Sequence, residues 1–198
     1  MVGFWRNGMR LRAFHWLLLA GISLLVAAAC SRPAPQRESP FRPTSTIKDI
    51  MDSMVDPSAD FLWDSVATII SASGTEERAP RTDEDWAKVR HNAISLVEAT
   101  NLLLMDGRRV ARPGEKADNP KVELGPEEIE AVIGQDRQAW VHFAHGLNDA
   151  AMAALKGIDA KDVKTLFEAG EAIDTACENC HLKYWYPLSH QQAEANKK

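Results

Sequence analysis

Apolar residues recur at helical spacing in four long stretches of this 198-residue chain, and nowhere does the sequence alternate as a half-buried strand would. The first stripe runs through Ile47, Ile50, Met51, Met54, Phe61, Leu62, Val66 and Ile69, with Gly74 as its stop. Pro57 must kink or restart that helix, because it removes a backbone donor and crowds the preceding turn. A second helix opens at Thr82-Asp83-Glu84-Asp85 and carries Trp86, Val89, Ala93, Leu96, Val97, Thr100, Leu103 and Leu104 before Gly107. After a polar loop from Gly107 to Gly125, the third starts at Pro126 and places Ile129, Val132, Ile133, Trp140, Phe143, Leu147, Ala151 and Ala154 on one face up to Gly157. The fourth runs from about Asp159 through Val163, Leu166, Phe167, Gly170, Ile173, Cys177 and His181 to Pro187. Four such helices with short or moderate connections predict an all-α fold, an antiparallel four-helix bundle over residues 46–187 with a polar tail at 188–198.

The stretch before the bundle has another composition. Arg6, Arg10 and Arg12 precede an apolar run from Ala13 to Ala29, which meets Cys30. A basic start, an apolar middle and a small-residue end make residues 1–29 a signal peptide. The Ala27-Ala28-Ala29-Cys30 junction resembles the cleavage box of bacterial lipoproteins, in which the cysteine becomes the lipidated first residue. An uncleaved anchor and simple secretion are the other readings, since about 17 apolar residues lie at the lower limit for spanning a bilayer. In each version the Arg-rich side stays cytoplasmic and the remainder is exported, giving a periplasmic, membrane-anchored protein. Residues 30–45, with Pro33, Pro35, Pro40 and Pro43, read as a semi-extended tether. Export of the rest leaves 20 basic against 28 acidic residues, a balance that argues against nucleic acid as a partner.

Within the fourth helix stands Cys177-Glu178-Asn179-Cys180-His181, the pattern of covalent haem attachment. Cysteines three apart share a helical face, where both can form thioethers to porphyrin vinyl groups, and the adjoining histidine meets the iron. A structural zinc site would need a fourth N or S ligand, and the only other cysteine is Cys30. A thioredoxin-like dithiol belongs at a helix N-terminus after a strand. A disulfide between these two has difficult geometry within a continuous helix. One haem c, held by Cys177 and Cys180, is the expected cofactor.

Trp140, Phe143, Leu147, Ala150-Ala151, Leu155, Gly157-Ile158-Asp159, Val163, Phe167 and Gly170, ending in Cys177-Glu178-Asn179-Cys180-His181 with Tyr184, resemble the last two helices of the class II cytochromes c, the family of cytochrome c′ and its low-spin relatives. The likeness is specific over about residues 126–186 and general over the first two helices. It implies a bundle with the haem near one end and His181 as proximal ligand. Trp185 stands where the family commonly has a basic residue after the aromatic, so Lys183 is the candidate replacement for a propionate contact there.

In an up-down-up-down bundle the start of the first helix lies level with the end of the fourth. At 1.5 Å per residue, Met51 is at the height of His181. Low-spin members of the family take a methionine from the first helix as sixth ligand, which makes Met51 the first choice and Met54 the alternative. Met105 shares the level, whereas His91, His142 and His145 lie many residues away. Lys48, Arg108 and Arg109 sit near the same end as further candidate propionate contacts.

No paired carboxylates, nucleophile triad or phosphate loop is visible, so no enzyme chemistry is expected. The leading expectation is an exported monohaem cytochrome that passes single electrons between redox protein partners, with a homodimer through bundle faces as one compatible assembly. A five-coordinate, cytochrome c′-like protein binding NO or CO is the alternative, and a haem-free structural lipoprotein the third.

Overall fold

The computed structural model describes residues 39–195. The signal segment 1–29, Cys30 and most of the tether lie outside the described residues.

Thr46 opens the first helix with a reciprocal capping box: its hydroxyl accepts from Asp49 N at 3.0 Å, and the Asp49 carboxylate accepts from Thr46 N at 2.9 Å. The helix runs as α1 (Ile47–Ile50), a π-helical segment (Met51–Val55) and α2 (Asp56–Ser65). Pro57, in the first turn of α2, has no N–H to give the Ser53 carbonyl one α-turn back. The chain takes the wider turn just before it, Asp56 N bonding to Met51 O. Pro57 thus marks a shift of register rather than a break.

Two sequence expectations are corrected after Ser65. The first helix does not reach Ile69, and strands do occur: β1 (Ala67–Ser71) pairs antiparallel with β2 (Gly74–Arg78). Gly74, at a φ of 130° that L side chains avoid, serves as a turn residue rather than a helix stop. Ile69, the last residue of the expected stripe, is 36% exposed, and its neighbour Ile70 is 81% exposed.

α3 (Asp83–Leu103) starts at a second capping box, formed by Thr82 and Asp85, with three acids in its first turn to complement the helix dipole. The third helical pattern is two helices, α4 (Pro126–Gln135) and α5 (Arg137–Asp159). They part at Asp136, whose φ of −142° is not helical and whose carboxylate caps α5 by accepting from Ala139 N at 2.9 Å. α6 (Val163–Tyr184) begins later than Asp159 because Asp162 serves as its N-cap. Val163 and Phe167, placed on its buried stripe by spacing, are exposed. The expected polar tail carries a short helix, α7 (Leu188–Ala195).

α5 packs on α3 and α6, α2 packs on the same two helices, and α4 rests on α5 and α6. Ile50, Leu62, Leu96, Leu166 and Ile173 are the largest wholly enclosed apolar side chains. Each fully buried one contributes roughly 1.5–3 kcal/mol. Within this interior Asn148 Nδ2 donates to Thr100 Oγ1 at 2.7 Å, tying α5 to α3. The last carbonyls of α3, which have no partner within their own helix, accept from Trp140 Nε1 at 3.2 Å and from Arg137 at 2.6 Å. Among the described residues no helix is long and apolar enough to cross a membrane.

Close approach of α5 and α6 depends on Gly157. A Cβ there would lie 2.9 Å from Thr165 Cγ2 and 3.0 Å from the Leu166 backbone nitrogen, which cannot step aside alone. Gly157→Ala is therefore expected to destabilise the fold by about 1–3 kcal/mol. The measurement is a urea titration, in which the midpoint falls while the slope stays constant; an unchanged midpoint would refute the close contact.

Candidate functional site

The last turns of α6 bring the cysteine–histidine pattern to a cavity. Side chains three and four residues apart share a helix face, which puts Cys177, Cys180 and Tyr184 on one strip with His181 beside it. A cavity of about 270 Å³ has Cys180, His181 and Tyr184 on one side and Ile47, Lys48 and Met51 from the first helix on the other. Trp140 also borders it, as do Val110, Lys116 and Leu124 of the loop between Gly107 and Gly125. A second void of about 30 Å³ reaches Cys177, Phe143 and Leu103. Met51, Asp56, Trp140, Cys180 and His181 border both spaces.

The long loop is fastened at each end. Arg109 O and Val110 O accept from Ile47 N and Lys48 N at 2.9 Å, filling two of the donors that open the first helix. At the other end Leu124 N donates to Trp185 O at 2.8 Å, and His190 Nε2 lies 3.0 Å from Pro120 O. These bonds hold the loop against the same end of α6 that carries His181.

Burial dominates the electrostatics here. Cys177 and Cys180 are free thiols, and desolvation pushes them up to about 11 and about 12, with nearby acidic groups adding to the shift. His181 is lowered by burial, against the opposing charge of Glu178. Asp56 is raised by burial and then by Asp52 and Asp60, each one helical turn away. Tyr184 is 3% exposed, and its hydroxyl has no hydrogen-bond partner. Its ring stands edge-on to Trp140 at 5.1 Å and to Phe143 at 5.6 Å. His181 is flanked by Trp185 at 5.0 Å and Tyr186 at 5.6 Å between ring centroids.

The structure brings Cys177, Cys180, His181, Met51 and Lys48 together and leaves other candidates out. Met54 packs against the core and lines neither space. Arg108 spends its guanidinium on the carbonyls of Leu102 and Ser45 and on Met105 Sδ. Arg109 pairs with Glu130 at 2.6 Å. Both arginines line a separate depression with Met105, and Lys183 is exposed on α6 away from the cavity. His91, His142 and His145 are exposed. Sequence reasoning missed Lys116 and Leu124, because nothing in a Pro- and Gly-punctuated loop says which wall it will cover, and it missed Asp56, one of several regularly spaced acids on the first helix that spacing alone does not single out.

Among the described residues no three His, Cys, Asp or Glu side chains converge as a bare metal ion would require. The site offers instead two thiols, one imidazole, one thioether and an apolar interior, with two exposed ammonium groups and the carboxylates of Asp52, Asp56, Asp118 and Glu123 at its border. Comparison with family models, with curated proteins and with solved structures finds no significant match.

Proposed function

We propose that the protein is an exported monohaem c-type cytochrome, similar to the class II cytochromes c, that transfers single electrons between redox protein partners. The observation that carries this reading is the meeting of Cys180 and His181 with Met51 across one cavity, with Cys177 on the adjoining void. In this reading the mutual packing of the first helix, α3, α5 and α6 is that of an antiparallel four-helix bundle. The N-terminal 29 residues and Cys30 supply export and a membrane tether.

The residues present fit the group. Cys177 and Cys180 would hold it through thioethers, and His181 Nε2 would ligate the iron, with Met51 Sδ as the candidate second ligand. The unpartnered Tyr184 hydroxyl is a buried donor that a protein-only interior leaves unsatisfied. Lys48 and Lys116 are exposed at the cavity and suit anionic arms directed to solvent. Haem, when bound, supplies a one-electron Fe(III)/Fe(II) couple. Trp140, Phe143, Leu103 and Tyr184 keep water from the interior side, and a thioether ligand from Met51 favours the reduced iron.

The test is the visible spectrum of protein exported by a host with haem-attachment machinery, reduced, with and without carbon monoxide. Sharp α and β bands that the gas leaves unchanged are expected. A broad spectrum that shifts with the gas would replace electron transfer by diatomic-gas binding, and a spectrum without haem bands would overturn both.

A further inference from the structure

Beyond the end of α6 the chain turns back on itself. Trp185 N and Tyr186 N both donate to His181 O, at 2.8 and 3.0 Å. That pair of hydrogen bonds to one carbonyl folds the Tyr186 side chain back along the helix it has just left. Its hydroxyl lies 2.6 Å from Glu178 Oε2 and 3.4 Å from His181 Nδ1. Gln191 Nε2 donates to Tyr186 O at 3.0 Å and fixes the turn from the other side.

The hydrogen count gives these contacts a direction. A carboxylate only accepts, and a phenol has one proton to give. Tyr186 gives that proton to Glu178 over the shorter distance, so its oxygen offers His181 only lone pairs. Nδ1 must then be the protonated nitrogen of a neutral imidazole, and the free lone pair falls on Nε2. That tautomer is the one an iron ligand needs. Histidine ligands commonly donate their second N–H to a neighbouring acceptor, which fixes the ring and strengthens it as a donor.

We infer that Tyr186 and Glu178 are positioning residues which hold His181 as the Nδ1–H tautomer and set its donor strength toward the haem iron. The inference rests on the proposed haem ligation. Glu178 acts through Tyr186: its carboxylate pulls on the phenol proton, and the phenol oxygen becomes a better acceptor for His181 Nδ1–H. A stronger imidazole donor stabilises Fe(III) more than Fe(II), so the pair lowers the reduction potential against the opposite pull of Met51.

The experiment uses the full holoprotein and its Tyr186→Phe, Glu178→Gln and doubly substituted variants, titrated with redox mediators while the haem spectrum is followed. Tyr186→Phe is expected to raise the Fe(II) to Fe(III) ratio at fixed ambient potential on the order of tenfold, which is 59 mV for one electron. Glu178→Gln shifts it the same way by less, and the double variant by less than the two single shifts together, because Glu178 acts on His181 partly through Tyr186 and partly by its own charge. A second readout separates positioning from mere packing: the His181 Nδ1–H resonance of the reduced protein exchanges with D2O faster in Tyr186→Phe than in wild type. Glu178 is exposed, so its substitution leaves the fold intact and keeps the test decisive. Unchanged ratios and exchange in haem-loaded variants, or fully additive shifts, would overturn the relay alone. A wild-type protein without covalent haem would overturn the haem reading and the relay with it.

Discussion

Alanine at both Cys177 and Cys180 is expected to give a folded protein that retains no haem after denaturation. The two thiols are the only cysteines in the described residues and the only groups at the cavity able to form thioethers. Either single substitution leaves one link, so covalent haem falls in yield and disappears only in the double variant. Each thiol also packs against the core as a small apolar group. Its loss costs about 1 kcal/mol, too little to unfold a domain of this size. Circular dichroism separates a folded, haem-free chain from a collapsed one, and a haem stain on the denatured protein reads the covalent bond. Haem surviving denaturation in the double variant would refute the role assigned to these cysteines. His181→Ala keeps both thioethers and is expected to stain, with its spectrum altered through loss of the proximal bond.

The second large effect is expected at Met51. Met51→Leu conserves volume, so the surrounding packing should hold to within about 1.5 kcal/mol. What it removes is the thioether of a residue that lines both spaces together with His181. The reduced variant is expected to take up carbon monoxide and change its spectrum, while the unsubstituted protein does not. Its potential should fall as well, since thioether ligation favours Fe(II). Met54→Leu is the matched control: it deletes a methionine from the same helix that lines neither space, and should leave the spectrum indifferent to the gas. If Met51→Leu stays closed to carbon monoxide, the sixth ligand comes from elsewhere.

The contrast between these methionines also explains what sequence could and could not deliver. α3 and α6 were legible because each has a capping residue, a one-sided apolar stripe and a terminator. The motif on α6 was legible because its chemistry is written in five consecutive residues. Met51, the first choice, and Met54, the alternative, both fall on the expected inward stripe because an α-helix advances about 100° per residue and puts both on the inward side. The π segment inserts the equivalent of one residue into that turn and rotates the rest of the helix, so that Val55, Ala59 and Leu62 face inward while Met54 packs against the core without lining either space. A single widened turn leaves no periodic signature. The break at Asp136 is similar, for the apolar spacing continues across it and only the backbone angle reveals two helices. The hairpin was illegible because Val66, Ile69 and Ile70 mimic the end of a helical stripe, while in the structure Ile69 and Ile70 reach the surface. The sequence displays the charge of Arg108 but not the carbonyls of Leu102 and Ser45 that accept from it.

The loop that closes the cavity is held by main-chain anchors together with side-chain ties from Arg109 to Glu130 and from Arg112 to Asp49. Arg109 O and Val110 O meet the first helix, and Leu124 N meets Trp185 O, without any of those side chains taking part. Such anchors are indifferent to which residues occupy the positions, but they fix the number of residues between them. These main-chain anchors therefore fix the span of the wall: inserting or deleting a residue between Val110 and Leu124 would pull one anchor from its partner and open the site to water.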